Sequence, residues 1–222
     1  SVRCMEWRNI ILRISVVVTT YNGKMHLEKQ LLSLLQQERA PDEVLIFDDG
    51  STDGTIELVQ NFIRKNCLES WQFYVNAKRK GWKQNFMEGL RKAAGDILFP
   101  CDQDDIWYPK KLAEMTAVME QHPEIKLLAC DYRVLYEPGA LKATVYKKTP
   151  VETQGLITRY GFTRHFFMNP YPGCTYAVRR DFFDAVKELW FDGSPHDEFL
   201  WLMAAVQDGA WFYNRVLMDY VR

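Results

Sequence analysis

The N-terminal half of the chain alternates short apolar runs of strand length with segments of helical periodicity. The clearest run, Ile14–Thr20, is rich in β-branched residues, and leucines at helical spacing follow it. The same order of strand and helix then recurs. We predict strands at 14–20, 44–47, 71–75, 97–99 and, as a candidate fifth, 127–131, and helices at 25–37, 56–63, 84–94 and 112–121.

Strands that alternate with helices of this length predict parallel strands joined by right-handed crossovers. The expected fold class is α/β, a Rossmann-like, doubly wound and mostly parallel sheet with helices on both faces. In such sheets ligands bind beyond the carboxyl ends of the strands. Polar residues follow four of the predicted strands at this edge, namely Thr19, Tyr21, Asp48, Asp49, Asn76 and residues 102–105.

The periodicity fades between residues 137 and 170, where Pro, Gly, Lys and aromatic residues are mixed. We interpret this part as a long excursion over the sheet, and the chain as one domain of 222 residues. Regular patterns then return. They predict a strand at 174–178, helices at 181–189 and 196–205, and short strands at 211–213 and 216–220.

Charge, cysteine spacing and hydropathy exclude several protein classes. With 28 Lys and Arg against 29 Asp and Glu, the chain lacks the basic footprint of a nucleic-acid binder, so we expect no nucleic-acid partner. The five cysteines have neither zinc-site nor disulfide spacing, which favours a reducing compartment. No apolar run reaches the roughly 20 residues of a membrane helix. We expect a cytoplasmic protein, and the seven tryptophans leave room for peripheral contact with the inner face of a membrane.

Residues 102–105, Asp-Gln-Asp-Asp, follow the predicted fourth strand. Like charges this close repel, so a hard cation or a hydrogen-bonded sugar would stabilise them, and a solvated acidic loop is the alternative. An EF-hand is excluded, because Trp107 and Ala113 stand where that loop needs Gly and a bidentate carboxylate. The chain also lacks the P-loop and GxGxxG phosphate cradles. These exclusions leave Mg²⁺ or Mn²⁺ held by carboxylates together with a diphosphate.

Three motifs, in this order, resemble the inverting glycosyltransferases of family 2, which have the GT-A fold and use nucleotide sugars. They lie at 16–22 (Val-Val-Val-Thr-Thr-Tyr-Asn), at 47–55 (Phe-Asp-Asp-Gly-Ser-Thr-Asp-Gly-Thr) and at 102–105, the last followed by Pro109 and Leu112. The resemblance implies a nucleoside diphosphate sugar as donor and a Mn²⁺ or Mg²⁺ ion. It implies that Asp104 coordinates the metal and that Asp102 joins it or approaches the ribose or sugar. The residues that it places at the nucleotide are Thr19, Tyr21, Asp48, Asp49, Lys83 and Asn85.

These assignments have structural alternatives. Residues 49–51 could only turn the chain and cap the next helix, and Tyr21 could be an aromatic residue at the rim with no ligand. Asp105 could cap or orient the segment that follows it. The basic run at 78–80 is interpreted as a solvated loop, although it could meet a phosphate.

An inverting transferase needs a base within reach of the acceptor hydroxyl. Asp197, in His-Asp-Glu-Phe-Leu-Trp at 196–201, resembles the base in the His-Asp-aromatic motif of a rhamnosyltransferase-like bacterial branch, and Glu198 is the second choice. The alternative is that residues 194–197 only start a helix. On this interpretation residues 12–131 bind the nucleotide sugar and residues 132–222 bind the acceptor. The resemblance also implies that a C-terminal segment of the relatives is missing.

The resulting hypothesis is metal-dependent, inverting transfer from a UDP- or dTDP-sugar to a glycan or lipid-linked saccharide in bacterial surface polysaccharide synthesis. Two other classes stay open. A sugar nucleotidyltransferase would release pyrophosphate. A non-catalytic glycan-binding or membrane-associated module would use an apolar patch such as the aromatic run at 164–168.

Overall fold

A computed structural model of the protein describes residues 11–137, 139, 154–160 and 171–222, so the run at 164–168 lies outside the described residues. The strands are β1 (Ile14–Thr20), β2 (Glu43–Asp48), β3 (Trp71–Val75), β4 (Ile97–Cys101), β5 (Ile106–Trp107), β6 (Leu127–Leu135), β7 (Ile157–Arg159), β8 (Tyr176–Arg179) and β9 (Ala210–Val221). The helices are α1 (Lys24–Leu35), α2 (Thr55–Lys65), α3 (Trp82–Lys92), α4 (Lys111–Gln121), α5 (Arg180–Val186) and α6 (His196–Ala205).

The nine strands of the described ranges form one sheet in the order β3-β2-β1-β4-β8-β6-β9-β5, with β7 paired to β9. Strand β1 pairs in parallel with β2 and β4, and all seven of its residues are buried. Its β-branched residues suit a strand that is covered on both faces. Helices α1, α2 and α4 pack on one face of the sheet, and α3, α5 and α6 on the other. The predicted α/β class is therefore confirmed.

The structure corrects several predicted elements of the second half. The strand predicted at 174–178 begins as a short 3-10 helix, Gly173–Thr175, which precedes β8. The helix predicted at 181–189 is α5 followed by a 3-10 turn. The two short strands predicted near the C-terminus are one strand, β9. Its pairing with β6 continues past the irregular residues between them through shifts of register. Strands β5 and β7 have only two and three residues, and a segment this short shows no periodicity from which a strand could be predicted.

Two pairings in the second half bring distant residues to the carboxyl end of β4. Strand β8 runs antiparallel to β4, with Arg179 opposite Ile97, so the turn before β8 lies beside the end of β4. Strand β9 runs antiparallel to β5, with Met218 opposite Trp107, so the last residues of β9 return to the acidic segment between β4 and β5. Among the helices of the described ranges, none combines the length and hydropathy needed to cross a bilayer.

Candidate active site

The carboxyl ends of β1, β2 and β4 open into a cavity of about 310 Å³. This is the edge of the sheet at which the sequence predicted a ligand. Six of the predicted site residues line the cavity, namely Thr19, Tyr21, Asp49, Asn85, Asp102 and Asp104. The wall is completed by Thr20, Arg79, Gly81, Trp82, Gln103 and Arg222.

Tyr21 and Arg79 lie against each other in the cavity wall. The Arg79 guanidinium lies 3.9 Å from the centroid of the Tyr21 ring, and the ring is 37% exposed. Gln103 of the acidic motif binds Tyr21: its Oε1 accepts from the Tyr21 backbone N–H at 2.9 Å, and its Nε2 donates to the Tyr21 carbonyl at 3.3 Å. A flat ring with a cation above it can hold a planar, polar group such as a nucleobase. Arg79, in the basic run at 78–80, thus lines the cavity while its side chain stays 65% exposed.

Asp49 shapes the loop that carries Arg79. Its buried carboxylate accepts from the backbone N–H groups of Lys80 at 2.7 Å and Gly81 at 2.8 Å, and from the Asn76 side-chain amide at 3.1 Å. Gly81 has φ +87°, a left-handed conformation that glycine adopts without strain. Asp49 therefore borders the cavity while it fixes the backbone of residues 76–81.

Asp48 lies away from the cavity, although the resemblance places it at the nucleoside. Its carboxylate is fully buried and accepts from the Thr20 hydroxyl at 2.6 Å, from the Ser51 hydroxyl at 2.6 Å and from the Ser51 backbone N–H at 2.7 Å. These bonds join the ends of β1 and β2 and hold the turn that follows. The position fits the alternative interpretation, in which the motif turns the chain.

Lys83 and Asn85, both on α3, point to different places. Asn85 is buried at the cavity wall, and its Oδ1 accepts from the Asn76 amide at 2.5 Å. Lys83 is directed away from the cavity, because its ammonium donates to the backbone carbonyl of Gly193. The structure thus does not bring Lys83 to the predicted nucleotide site.

Part of the cavity wall is acidic. Asp102 and Asp104 line it, and the Arg222 guanidinium lies 3.8 Å from the Asp104 carboxylate. Burial and, after it, the negative charge of Asp104 together raise the pKa of Asp102 to about 6, although the positive charge of Arg222 opposes them. Burial and, after it, the negative charge of Asp102 raise the pKa of Asp105 to about 8. The acidic motif therefore crowds carboxylates into a buried place.

The acidic motif fits a hard divalent cation. Asp105 is completely buried, and in the described part of the chain its carboxylate oxygens have no hydrogen-bond partner apart from the Cys174 thiol, a weak donor. Carboxylate oxygens of Asp102 and Asp105 lie within 4.8 Å of each other and of the Cys174 sulfur. This cluster does not include Asp104, which lies 3.8 Å from the Arg222 guanidinium, and Asp105 does not line the cavity. Asp102 and Asp104 do line it, and their carboxylates offer the oxygen ligands that Mg²⁺ and Mn²⁺ prefer. These two residues can therefore hold the ion that the resemblance implies.

Lys111 is a buried cation beneath the acidic motif that the sequence did not predict as a site residue. Its ammonium donates to the Cys174 carbonyl at 2.5 Å and lies 3.8 Å from the centroid of the Trp107 ring. Its charge also lowers the pKa of Asp105. A signal was available in the sequence, because Lys111 precedes Met115 by one turn on the buried stripe of α4.

Asp197 lies near the acidic motif but does not line the cavity. It stands in the first turn of α6, and that turn packs against Gly173: a Cβ on Gly173 would lie 3.0 Å from the Asp197 Cβ and 2.7 Å from His196 Nε2. The next residue, Cys174, contacts the acidic motif through its sulfur. The negative charge of Asp197 is one of the smaller causes that raise the pKa of Asp102. The structure thus brings Asp197 beside the acidic motif, and its role as base stays a prediction.

The fold and the cavity agree with the nucleotide-sugar-binding class that the sequence motifs resemble. Glycosyl transferase family 2 matches residues 15–184, which is more than half of the chain. The chain therefore belongs to this family and to the transferase class of enzymes.

Named relatives and solved structures support this membership. The dTDP-rhamnosyl transferase RfbG of Shigella flexneri is 24% identical over 213 residues, 89% of this chain and 68% of that protein. The Staphylococcus aureus TarS 1-349 structure in complex with UDP-GlcNAc has a TM-score of 0.72 at 20% identity, over 95% of this chain and 59% of that one. The mannosyltransferase PcManGT from Pyrobaculum calidifontis, in complex with GDP-Man and Mn²⁺, has a TM-score of 0.68 at 19% identity, over 95% and 56%. The two structures confirm the GT-A fold, and this chain spans less than two thirds of each.

Proposed function

We propose that the chain transfers a sugar from a nucleoside diphosphate sugar to a hydroxyl group of a glycan or lipid-linked saccharide, with inversion and with a divalent cation. The observation that carries the proposal is the set of groups that meet at one cavity. The Tyr21 ring, with the Arg79 guanidinium over it, and the carboxylates of Asp102 and Asp104 line this cavity, and Asp197 packs against Gly173, next to the cysteine that contacts the acidic motif. A nucleobase, a diphosphate held through a cation and an acceptor hydroxyl need groups of these kinds close together.

In the proposed reaction the acceptor hydroxyl attacks the anomeric carbon of the donor sugar. Asp197 accepts the hydroxyl proton. The new C–O bond forms as the bond to the diphosphate oxygen breaks, and the nucleoside diphosphate leaves with that bonding pair. Because a single displacement occurs from the face opposite the leaving group, the anomeric configuration inverts.

The chain's own residues position the donor for this step. Asp49 and Asn76 hold the loop that carries Arg79, and Gln103 links Tyr21 to the acidic motif. Asp104 and Asp102 would hold the divalent cation, which when bound supplies positive charge for the leaving diphosphate. Holding a donor in one orientation lowers the entropic part of the barrier, so a rigid cavity wall favours transfer.

We propose that the donor is a dTDP- or UDP-sugar and that the transferred sugar becomes part of a bacterial surface polysaccharide. RfbG by its name uses a dTDP-rhamnosyl donor, and the TarS structure contains UDP-GlcNAc. We also propose a cytoplasmic site of action with peripheral membrane contact. Two large apolar side chains near the start of α6, Leu189 and Phe191, are 65% and 68% exposed, as a residue that enters a lipid interface would be.

The test is turnover of a donor panel by the wild type and by Asp197→Asn, which keeps the size of the side chain and removes the basic carboxylate. UDP-GlcNAc, dTDP-rhamnose and GDP-mannose are incubated with Mn²⁺ and a saccharide acceptor, and the release of nucleoside diphosphate and pyrophosphate is measured. We expect the wild type to release nucleoside diphosphate from at least one donor. Asp197→Asn should keep the donor Kd and lose transfer by a factor of about 10² to 10⁴.

A matched control is Asp208→Asn, since Asp208 is an exposed carboxylate outside the cavity. Asp208 has φ 55°, and asparagine tolerates this conformation. The control should behave as the wild type. Release of pyrophosphate would point to a nucleotidyltransferase. Full transfer by Asp197→Asn would show that another group is the base. If the wild type bound none of the donors, the proposed function would be contradicted.

A further inference from the structure

Trp82 is a large aromatic residue in the wall of the cavity to which no role has been assigned so far. It is the first residue of α3, it lines the cavity, and it is 50% exposed. Its backbone position is fixed by the residue before it, because the N–H of Gly81 donates to the Asp49 carboxylate at 2.8 Å. An exposed indole held in this way offers a fixed apolar surface to a ligand.

His196 supports the indole from behind. The Trp82 and His196 rings meet edge to face, with centroids 5.8 Å apart, and His196 in turn stacks on Phe86 with centroids 4.0 Å apart. His196 and Phe86 are both buried. The Lys83 ammonium, 5.7 Å from the centroid of the Trp82 ring, is bound to the Gly193 carbonyl. The indole is therefore held at one side by packed rings while half of its surface stays open.

The position of Trp82 relates it to one part of the donor. In the proposed reaction the transferred sugar must lie between the diphosphate, at Asp102 and Asp104, and the base, Asp197. Trp82 shares the cavity wall with both acidic residues, and it contacts His196, the residue next to Asp197. In the proposed function the nucleobase is held by Tyr21 and its guanidinium partner. The space in front of the indole is thus the space left for the sugar ring.

We propose that Trp82 is the stacking platform for the transferred hexopyranose of the donor. One face of a pyranose ring presents mainly C–H groups, and these groups pack on an aromatic ring as other apolar groups do. Stacking fixes the plane of the sugar, so the anomeric carbon faces the acceptor hydroxyl rather than water. The inference rests on the proposed function, and it assigns the sugar, not the nucleotide, to this residue.

The test compares a nucleoside diphosphate with its sugar-bearing form. Calorimetric titrations with Mn²⁺ measure Kd for dTDP, dTDP-rhamnose, UDP and UDP-GlcNAc on the wild type, Trp82→Leu and Trp82→Phe. We expect Trp82→Leu to bind dTDP and UDP within about twofold of the wild type and the cognate nucleotide sugar about tenfold more weakly. Trp82→Phe keeps an aromatic ring, so its Kd for the nucleotide sugar should lie between those of the wild type and Trp82→Leu. Binding of dTDP or UDP to each variant also shows that it has folded.

A second readout is indole fluorescence. The cognate nucleotide sugar, but not its diphosphate alone, should change the fluorescence of the wild type, and Trp82→Phe should lose this change. Trp211→Phe is the matched control, because Trp211 packs near His122 and does not line the cavity. It should keep the sugar-dependent change.

Two outcomes would overturn the inference and leave the proposed function intact. Equal weakening of the diphosphate and the nucleotide sugar in Trp82→Leu would place the indole at the nucleotide. Unchanged donor affinity with a raised KM for the acceptor would place it at the acceptor. If the wild type binds none of the four ligands, the proposed function fails and the inference fails with it.

Discussion

His196 makes the stability of this protein depend on pH in a way that one substitution isolates. The ring is 3% exposed, it stacks on Phe86, and neither of its nitrogens has a hydrogen-bond partner within the described ranges. Burial lowers its pKa from 6.5 to about 4, and the negative charge of Asp197 opposes this only weakly. The folded protein therefore contains a neutral imidazole, which must gain a proton when the pH falls.

The sign and size follow from proton linkage. Between pH 6.5 and pH 4 the unfolded state binds more protons at this residue than the folded state, so the free energy of unfolding falls as the pH falls through that window. With these two pKa values, the loss from pH 7.5 to pH 5 is about 2 kcal/mol, and the full loss below pH 4 is about 3 kcal/mol.

The substitution that removes this contribution is His196→Leu, which keeps an apolar contact with Phe86 and has no titratable group. Urea denaturation in EDTA at pH 7.5 and pH 5 gives the free energy of unfolding for both proteins. The aspartates of the acidic motif titrate in both, so their contributions cancel in the difference. We expect the wild type to lose about 2 kcal/mol more than the variant over this range. Equal losses would refute the assignment of a buried neutral imidazole. His122→Leu, at a residue that is not buried, should behave as the wild type.

Three further substitutions test the supports of the cavity. Lys111→Met keeps the apolar stem and removes the buried ammonium that binds a backbone carbonyl. The free energy of unfolding in urea should therefore fall by about 2 kcal/mol. An unchanged value would contradict the supporting role of Lys111. Gly173→Ala places a methyl group against α6. We expect the free energy of unfolding to fall by about 1 to 3 kcal/mol and transfer to become slower at an unchanged donor Kd. A wild-type transfer rate would show that the contact with Asp197 is unimportant. Asp48→Ala should lower the melting temperature and leave the donor Kd unchanged. Asp49→Ala should raise the donor Kd, because it releases the loop that carries Arg79. The reverse result would restore Asp48 as the nucleoside contact.

The parallel first half could be predicted from sequence because its signals are local. Apolar runs of strand length, leucines at helical spacing and Gly- or Asp-rich turns each act within a few residues, and they locate the bounds of β1 to β4 to within two residues. The parallel arrangement then puts the carboxyl ends of these strands at one edge. Thr19, Tyr21 and Asp102 could therefore be placed near the cavity without a structure.

The remaining site residues depend on contacts that sequence patterns do not encode. Asp48 and Asp49 are neighbours at the end of β2, but only the second reaches the cavity, because successive side chains of a strand point to opposite sides. Arg79 and Trp82 reach it because Asp49 folds their loop back, a bond between residues about 30 positions apart. The approach of Asp197 to the acidic motif depends on the antiparallel pairing of β8 with β4. None of these contacts leaves a period or a motif in the sequence.

The central claim is that one cavity holds a nucleotide sugar through a divalent cation bound by the acidic motif. The direct measurement is the calorimetric Kd of the cognate nucleotide sugar with Mn²⁺ and with EDTA, for the wild type, Asp104→Asn and the control Asp208→Asn. We expect Mn²⁺ to strengthen donor binding at least tenfold in the wild type and the control and to have no effect in Asp104→Asn, with all three melting at similar temperatures. Donor binding that is equally strong in EDTA, or an unchanged Mn²⁺ effect in Asp104→Asn, would contradict the claim.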